Sequence, residues 1–134
     1  MNKSFNELNI NNSIVVGLEK QNITIPTGIQ ETVIPFALEN KDIIAEAHTG
    51  TGKTLAFLIP IFEKINVEKR EMQAIILAPT HELVVQIESQ IKLLSTNSGI
   101  NVTSLSIMGE SNIEKQIKKN SWLNQKEKDY CPYY

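Results

Sequence analysis

A glycine-rich turn between a short apolar run and a longer one constrains this chain more than any other stretch. The turn reads Ala47-His48-Thr49-Gly50-Thr51-Gly52-Lys53-Thr54; before it stands Ile43-Ile44-Ala45, and after it an apolar, helix-like run over 55–65. Gly50 and Gly52 carry no β-carbon, so the backbone can bend tightly and aim successive N–H groups at one anion. The helix predicted to follow points the positive end of its dipole at the same spot. Lys53 can reach outer phosphates as a point charge, and the Thr54 hydroxyl is placed to ligate Mg²⁺. Ala47 stands where the usual pattern has its first Gly. Adjacent Gly-Lys-Thr at a helix start has little purely structural use, so the run reads as a loop for the phosphates of a nucleoside triphosphate. The bland alternative is a turn that binds nothing.

The 134 residues allow one domain of ordinary size with a modest core. Charge is nearly balanced, 13 Lys+Arg against 15 Asp+Glu, so any nucleic-acid binding must use a local patch rather than bulk attraction. Cys131 is the sole cysteine, which excludes an intrachain disulfide and fits a reducing compartment, and the polar start lacks the apolar core of an export signal. The longest apolar run, over 55–62, is too short to span a membrane. A cytoplasmic location is the expectation.

Helical and strand-like patterns alternate along the chain. Ile14, Val15 and Leu18 recur at helical spacing behind Asn11-Asn12-Ser13, which predicts a short helix to about Lys20. Thr27 can cap a second helix carrying Ile29, Val33 and Ile34 inward, with Pro35 kinking or shortening it. Strands are expected over 42–46, over 74–78 as a buried apolar run, and over 102–107 by alternation. Leu83, Ile87, Ile91 and Leu94 mark an amphipathic helix over 82–94, and a further short helix is expected over 113–119. Alternating βα units of this kind predict an α/β fold, a parallel sheet covered by helices.

Four segments in order carry a family resemblance. Phe5, Gly17-Leu18 and Ile25-Pro26-Thr27-Gly28-Ile29-Gln30 resemble the Q motif (5–30) of DEAD-box ATP-dependent RNA helicases. Residues 47–54 look like that family's motif I, in which Ala for the first Gly is normal. Ala78-Pro79-Thr80-His81-Glu82-Leu83-Val84-Val85-Gln86 is similar to motif Ia, and Met108-Gly109-Glu110 followed by Gln116 sits at the family's Gly-Gly segment. The resemblance covers residues 5–119 and implies a partial RecA-like domain with P-loop, parallel strands and flanking helices.

It also implies roles. Gln30 would read adenine, its amide offering both a donor and an acceptor to the base edge. Phe5 would stack on the same base, a contact of about 1–3 kcal/mol. The bland alternatives are a surface Gln and a core-filling Phe. Ala47, His48, Thr49, Gly50, Thr51, Gly52, Lys53 and Thr54 would surround ATP and Mg²⁺, with Thr54 on the metal and His48 a loop residue rather than a base. Pro79, Thr80, His81, Glu82 and Gly109 would face RNA, where a strand end and a helix N-terminus can donate to phosphodiester oxygens. His81 stands where the family usually has Arg, so an always-charged fork is replaced by imidazole and RNA contact is expected to be weak.

The family's Asp-Glu-Ala-Asp box does not occur in these residues, whose only aspartates are Asp42 and Asp129, nor do its Ser-Ala-Thr and Thr-Pro-Gly segments or its second domain. Phosphoryl transfer depends on positioned water, metal and neutralised charge, so no catalytic residue is assigned, and hydrolysis or unwinding by these residues alone is not expected. Over 120–134 the composition turns polar and aromatic, which reads as an atypical tail from a frameshift or premature end of a longer frame. A naturally short protein is the alternative, and Trp122, Tyr130, Tyr133 and Tyr134 stacking on RNA is a weaker one. Two other functions stay open: a non-catalytic ATP- or RNA-binding module, and a truncation product without function. Strands left without neighbours imply a partner chain or self-association through their edges.

Overall fold

The computed structural model describes residues 4–109. Its regular structure is helical: a 3₁₀ turn, Phe5–Leu8, then α1 (Asn12–Glu19), α2 (Gly28–Leu38), α3 (Lys53–Lys64) and α4 (His81–Ser98). Each start has a local cause. The Asn11 side chain accepts from the Ser13 N–H at 2.8 Å and begins α1. A capping box joins Thr27 to Gln30 at the head of α2. Gly52, left-handed at φ 85°, opens α3, and the Thr80 hydroxyl accepts from the Leu83 N–H at 3.3 Å to open α4. Gly99, also left-handed, closes α4. Pro35 does not end α2, which continues to Leu38.

The helices pack as two pairs, α1 against α4 and α2 against α3. Phe5, Leu8, Ile14, Leu18, Ile34, Ile59, Phe62 and Leu94 form one core shared by both pairs. Gly17 lets α1 and α4 approach closely: a Cβ there would stand 2.8 Å from the Ser98 backbone nitrogen. Lys20 then donates to the Asn97 carbonyl at 2.9 Å, placing a cation at the negative end of α4.

The three expected strands are corrected: no strand forms among the described residues. A strand exists only through a neighbour that takes up its N–H and C=O groups, and apolar character cannot supply that neighbour. Ile44 and Leu77, expected inside a sheet, are 104% and 91% exposed. The third segment is held by side chains of α4 instead. The Val102 N–H donates to Ser95 Oγ at 3.2 Å, and Ser106 Oγ donates to Glu88 at 2.8 Å. The helix expected over 113–119 and the tail over 120–134 lie outside the described residues.

Candidate functional site

The phosphate-loop candidate joins the 41–46 segment to α3. Gly50 and Gly52 both have positive φ, 79° and 85°, the left-handed region that a side chain disfavours. They supply the tight bend, and α3 starts at Lys53 directly behind it, so the helix dipole and the Lys53 side chain belong to one corner. Thr54 is half-buried in the first turn of the same helix.

Side chains from the head of α2 hold the back of this loop. Gln30 is 1% exposed; its Oε1 accepts from the Thr27 N–H and its Nε2 donates to the Gly52 carbonyl, each at 3.0 Å. Thr27 Oγ1 donates to the Thr51 carbonyl at 2.8 Å. A Cβ on Gly52 would fall 2.4 Å from Gln30 Nε2, so the closeness of the clamp itself requires glycine. Thr27 was legible as a cap but not as a loop clamp, because nothing in its local spacing reports a contact 24 residues away. At the front, Lys53 Nζ donates to the carbonyls of Ala47 and His48, and Thr51 Oγ1 donates to the same His48 oxygen at 2.7 Å. An open cleft beside the loop is lined by Thr27, Gly28, Ile29, Glu46, Ala47 and His48; Thr49 is exposed at the loop's outer edge.

Phe5 is not presented to a base. It is 2% exposed and packs in the core, the second of the two places its chemistry allowed. Pro79, Thr80, His81 and Glu82 are all exposed at the head of α4, and Gly109 is exposed at the end of the described residues. The Glu82 carboxyl titrates below its ordinary value of 4.5, chiefly through its own backbone N–H, then through the Thr80 hydroxyl and the charge of His81. The loop thus belongs to the α2–α3 pair and the exposed turn to the α1–α4 pair. Among the described residues no group of three His, Cys, Asp or Glu side chains is placed to hold a metal. Thr54, the hydroxyl that the resemblance assigns to the metal, fits Mg²⁺ only in the manner of a nucleotide site, where phosphates and waters complete the shell. No described helix is long and apolar enough to cross a membrane.

A family model described as DEAD/DEAH box helicase matches residues 27–129. The chain belongs to the DEAD/DEAH box helicase family. The DEAD-box ATP-dependent RNA helicase CshA of Streptococcus pneumoniae is 46% identical over 114 residues, 85% of this chain and 21% of that protein. The protein of the same name from Geobacillus kaustophilus is 40% identical, over 86% of this chain and 24% of that one. This DEAD-box chain therefore spans between a fifth and a quarter of the length of these curated relatives. Among solved structures, a DEAD box protein from the hyperthermophile Methanococcus jannaschii superposes with a TM-score of 0.79 at 38% identity, covering 88% of this chain and 32% of that one. The RNA helicase Prp28 from Chaetomium thermophilum, bound to ADP, gives 0.72 at 37% identity, covering 85% and 28%. These neighbours are RecA-like helicase domains, so the helices and connections described here follow that domain's trace even where no strand pairing forms.

Proposed function

We propose that this chain carries the nucleotide-holding part of an ATP-dependent RNA helicase of the DEAD-box family and binds ATP with Mg²⁺ without turning it over by itself. The observation that supports this reading is the loop at 47–54, with two left-handed glycines ahead of a helix and its carbonyls clamped from behind by Thr27 and Gln30. Lys53 would pair with the outer phosphates and Thr54 with the metal. Gln30 is the adenine-reading candidate of the resemblance, but its amide is 1% exposed and bonded to Thr27 and Gly52, so a base would meet it only where this clamp turns outward. RNA would lie across the exposed head of α4 at Pro79, Thr80, His81 and Glu82, with Gly109 nearby in the family's pattern. His81 in place of the usual Arg makes that contact weak. A cytoplasmic setting accords with this chemistry.

Titration calorimetry with Mg²⁺-ATP and Mg²⁺-GTP tests the proposal. ATP is expected to bind better than GTP, and Lys53→Ala to weaken binding by about 1.5–3 kcal/mol, the worth of a charge-assisted contact. Equal affinity of parent and variant sinks the phosphate assignment, and equal affinity for the two nucleotides sinks the base assignment. The second reading, a turn that binds no nucleotide, predicts no heat with either.

A further inference from the structure

His48 and His81, the chain's two histidines, stand on different helix pairs, one in the loop ahead of α3 and the other at the first position of α4. His81 is exposed, and the turn that presents it is fixed. The Thr80 hydroxyl accepts from the Leu83 N–H at 3.3 Å, and the Thr80 carbonyl accepts from the Val84 N–H at 3.1 Å. Imidazole is the side chain whose ordinary titration falls between about pH 5 and 8, a range in which carboxylates and ammonium groups keep their charge. Glu82 beside it titrates below 4.5, chiefly through its own backbone N–H and then the Thr80 hydroxyl, and is ionised throughout. Farther along α4, Glu88 and Lys92 pair at 2.6 Å. The charges on the helices packed against α4 are engaged elsewhere. On α1, Lys20 donates to the Asn97 carbonyl and Glu19 adjoins it, about 24 Å along the helix from His81. On α3, Lys53 is bonded to the loop carbonyls, Glu63 accepts from the Asn11 N–H, and Lys64 donates to the Ala37 carbonyl. No charged residue lies over 100–107.

We propose that His81 makes the RNA contact at the head of α4 proton-dependent, its imidazolium pairing with a phosphodiester oxygen and binding drawing a proton from solution. The inference rests on the reading that RNA lies across 79–82. A neutral ring brings one N–H donor and no charge to a phosphate, whereas the imidazolium brings two donors and a full charge. The positive end of α4 disfavours that cation, and a phosphate within reach favours it, so the proton is taken up on contact. RNA affinity therefore rises as pH falls from about 8 to about 6. Arginine at this position would hold its charge over the whole range.

Fluorescence anisotropy of a labelled single-stranded oligouridine, titrated with the full chain over a series of salt concentrations at about pH 6 and about pH 8, tests the switch. Each phosphate neutralised on a single strand adds about 0.7 to the slope of log affinity against log salt. The parent is expected to bind about two- to fivefold tighter at the lower pH, the span of an exposed ion pair, with a slope steeper by about 0.7. His81→Arg should carry the steeper slope at both pH values, and His81→Gln the shallower one at both. Equal slopes in the parent overturn the switch and leave the RNA reading standing. A pH difference that persists in His81→Gln assigns the titration to another group and overturns the switch as well. If neither the parent nor His81→Arg binds at low salt at either pH, the RNA reading falls and the switch with it.

Discussion

Gly52 is the residue at which conformation and contact make the same demand. Its φ of 85° disfavours any side chain, and a Cβ would also stand 2.4 Å from Gln30 Nε2 and 3.1 Å from Thr27 Oγ1. Gly50 has a similar φ, 79°, but nothing within reach of a Cβ. The pair separates the two effects. Gly50→Ala is expected to cost only the left-handed penalty, about 1–2 kcal/mol, and Gly52→Ala to cost clearly more, as read by urea denaturation. Equal costs would show that the Gln30–Thr27 clamp is not tight. A second residue-scale outcome concerns Glu82, whose folded carboxyl titrates below 4.5 through its backbone N–H, Thr80 and His81. A depressed folded value means the ionised form favours the fold, so the contribution is present above the unfolded value and lost as pH falls through the folded one. Glu82→Gln should melt below the parent at neutral pH, and the gap should close as pH drops well under 4.5. A gap that widens on acidification would contradict the assigned cause.

At the scale of elements, the approach of α1 to α4 sets two known effects against each other. Replacing a mid-helix glycine by alanine ordinarily stabilises by about 1 kcal/mol. At Gly17 the added Cβ would meet Ser98 backbone atoms at 2.8 and 3.0 Å, and backbone cannot rotate aside as a side-chain tip can. Overpacking costs about 1–3 kcal/mol, so Gly17→Ala is expected to lower the thermal midpoint; a rise would mean that the two helices separate freely. The helices themselves were legible in the sequence because their signals are local. Asn11 and Thr27 mark two of the starts, and Ile14, Leu18, Ile34 and Leu94 occur at the spacing that buries them. The glycines and Lys53 of the loop were legible for the same reason. The strands over 42–46 and 74–78 were not, since a strand depends on a second segment and the apolar pattern names none. Gln30's buried amide likewise answers to Gly52, 22 residues on, and only folding reveals the pairing.

For the whole molecule, two apolar segments without helix or strand decide the behaviour in solution. Ile44 is 104% exposed, Leu77 91%, Met72 70% and Ile75 67%, whereas the described core is carried by four helices and the 3₁₀ turn. Covering a side chain such as Ile or Leu is worth about 1.5–3 kcal/mol, and a domain's total stability is typically only about 5–15 kcal/mol. A few uncovered residues of this size are therefore comparable with everything that holds the fold, and apolar segments outside any described helix or strand offer a template for another chain. Self-association through 43–45 and 74–78 is the expected outcome for residues 1–134 as a separate chain, together with a low, shallow thermal transition. Light scattering after size exclusion should show mass rising with protein concentration. Placing a charge in each segment, as in the double variant Ile44→Lys, Leu77→Lys, should return the chain toward monomer, because a lysine in an apolar pairing segment resists association. A monomer at all concentrations with a cooperative midpoint above about 60 °C, the upper mesophile range, would show that the helical core suffices and that the exposed segments contribute little.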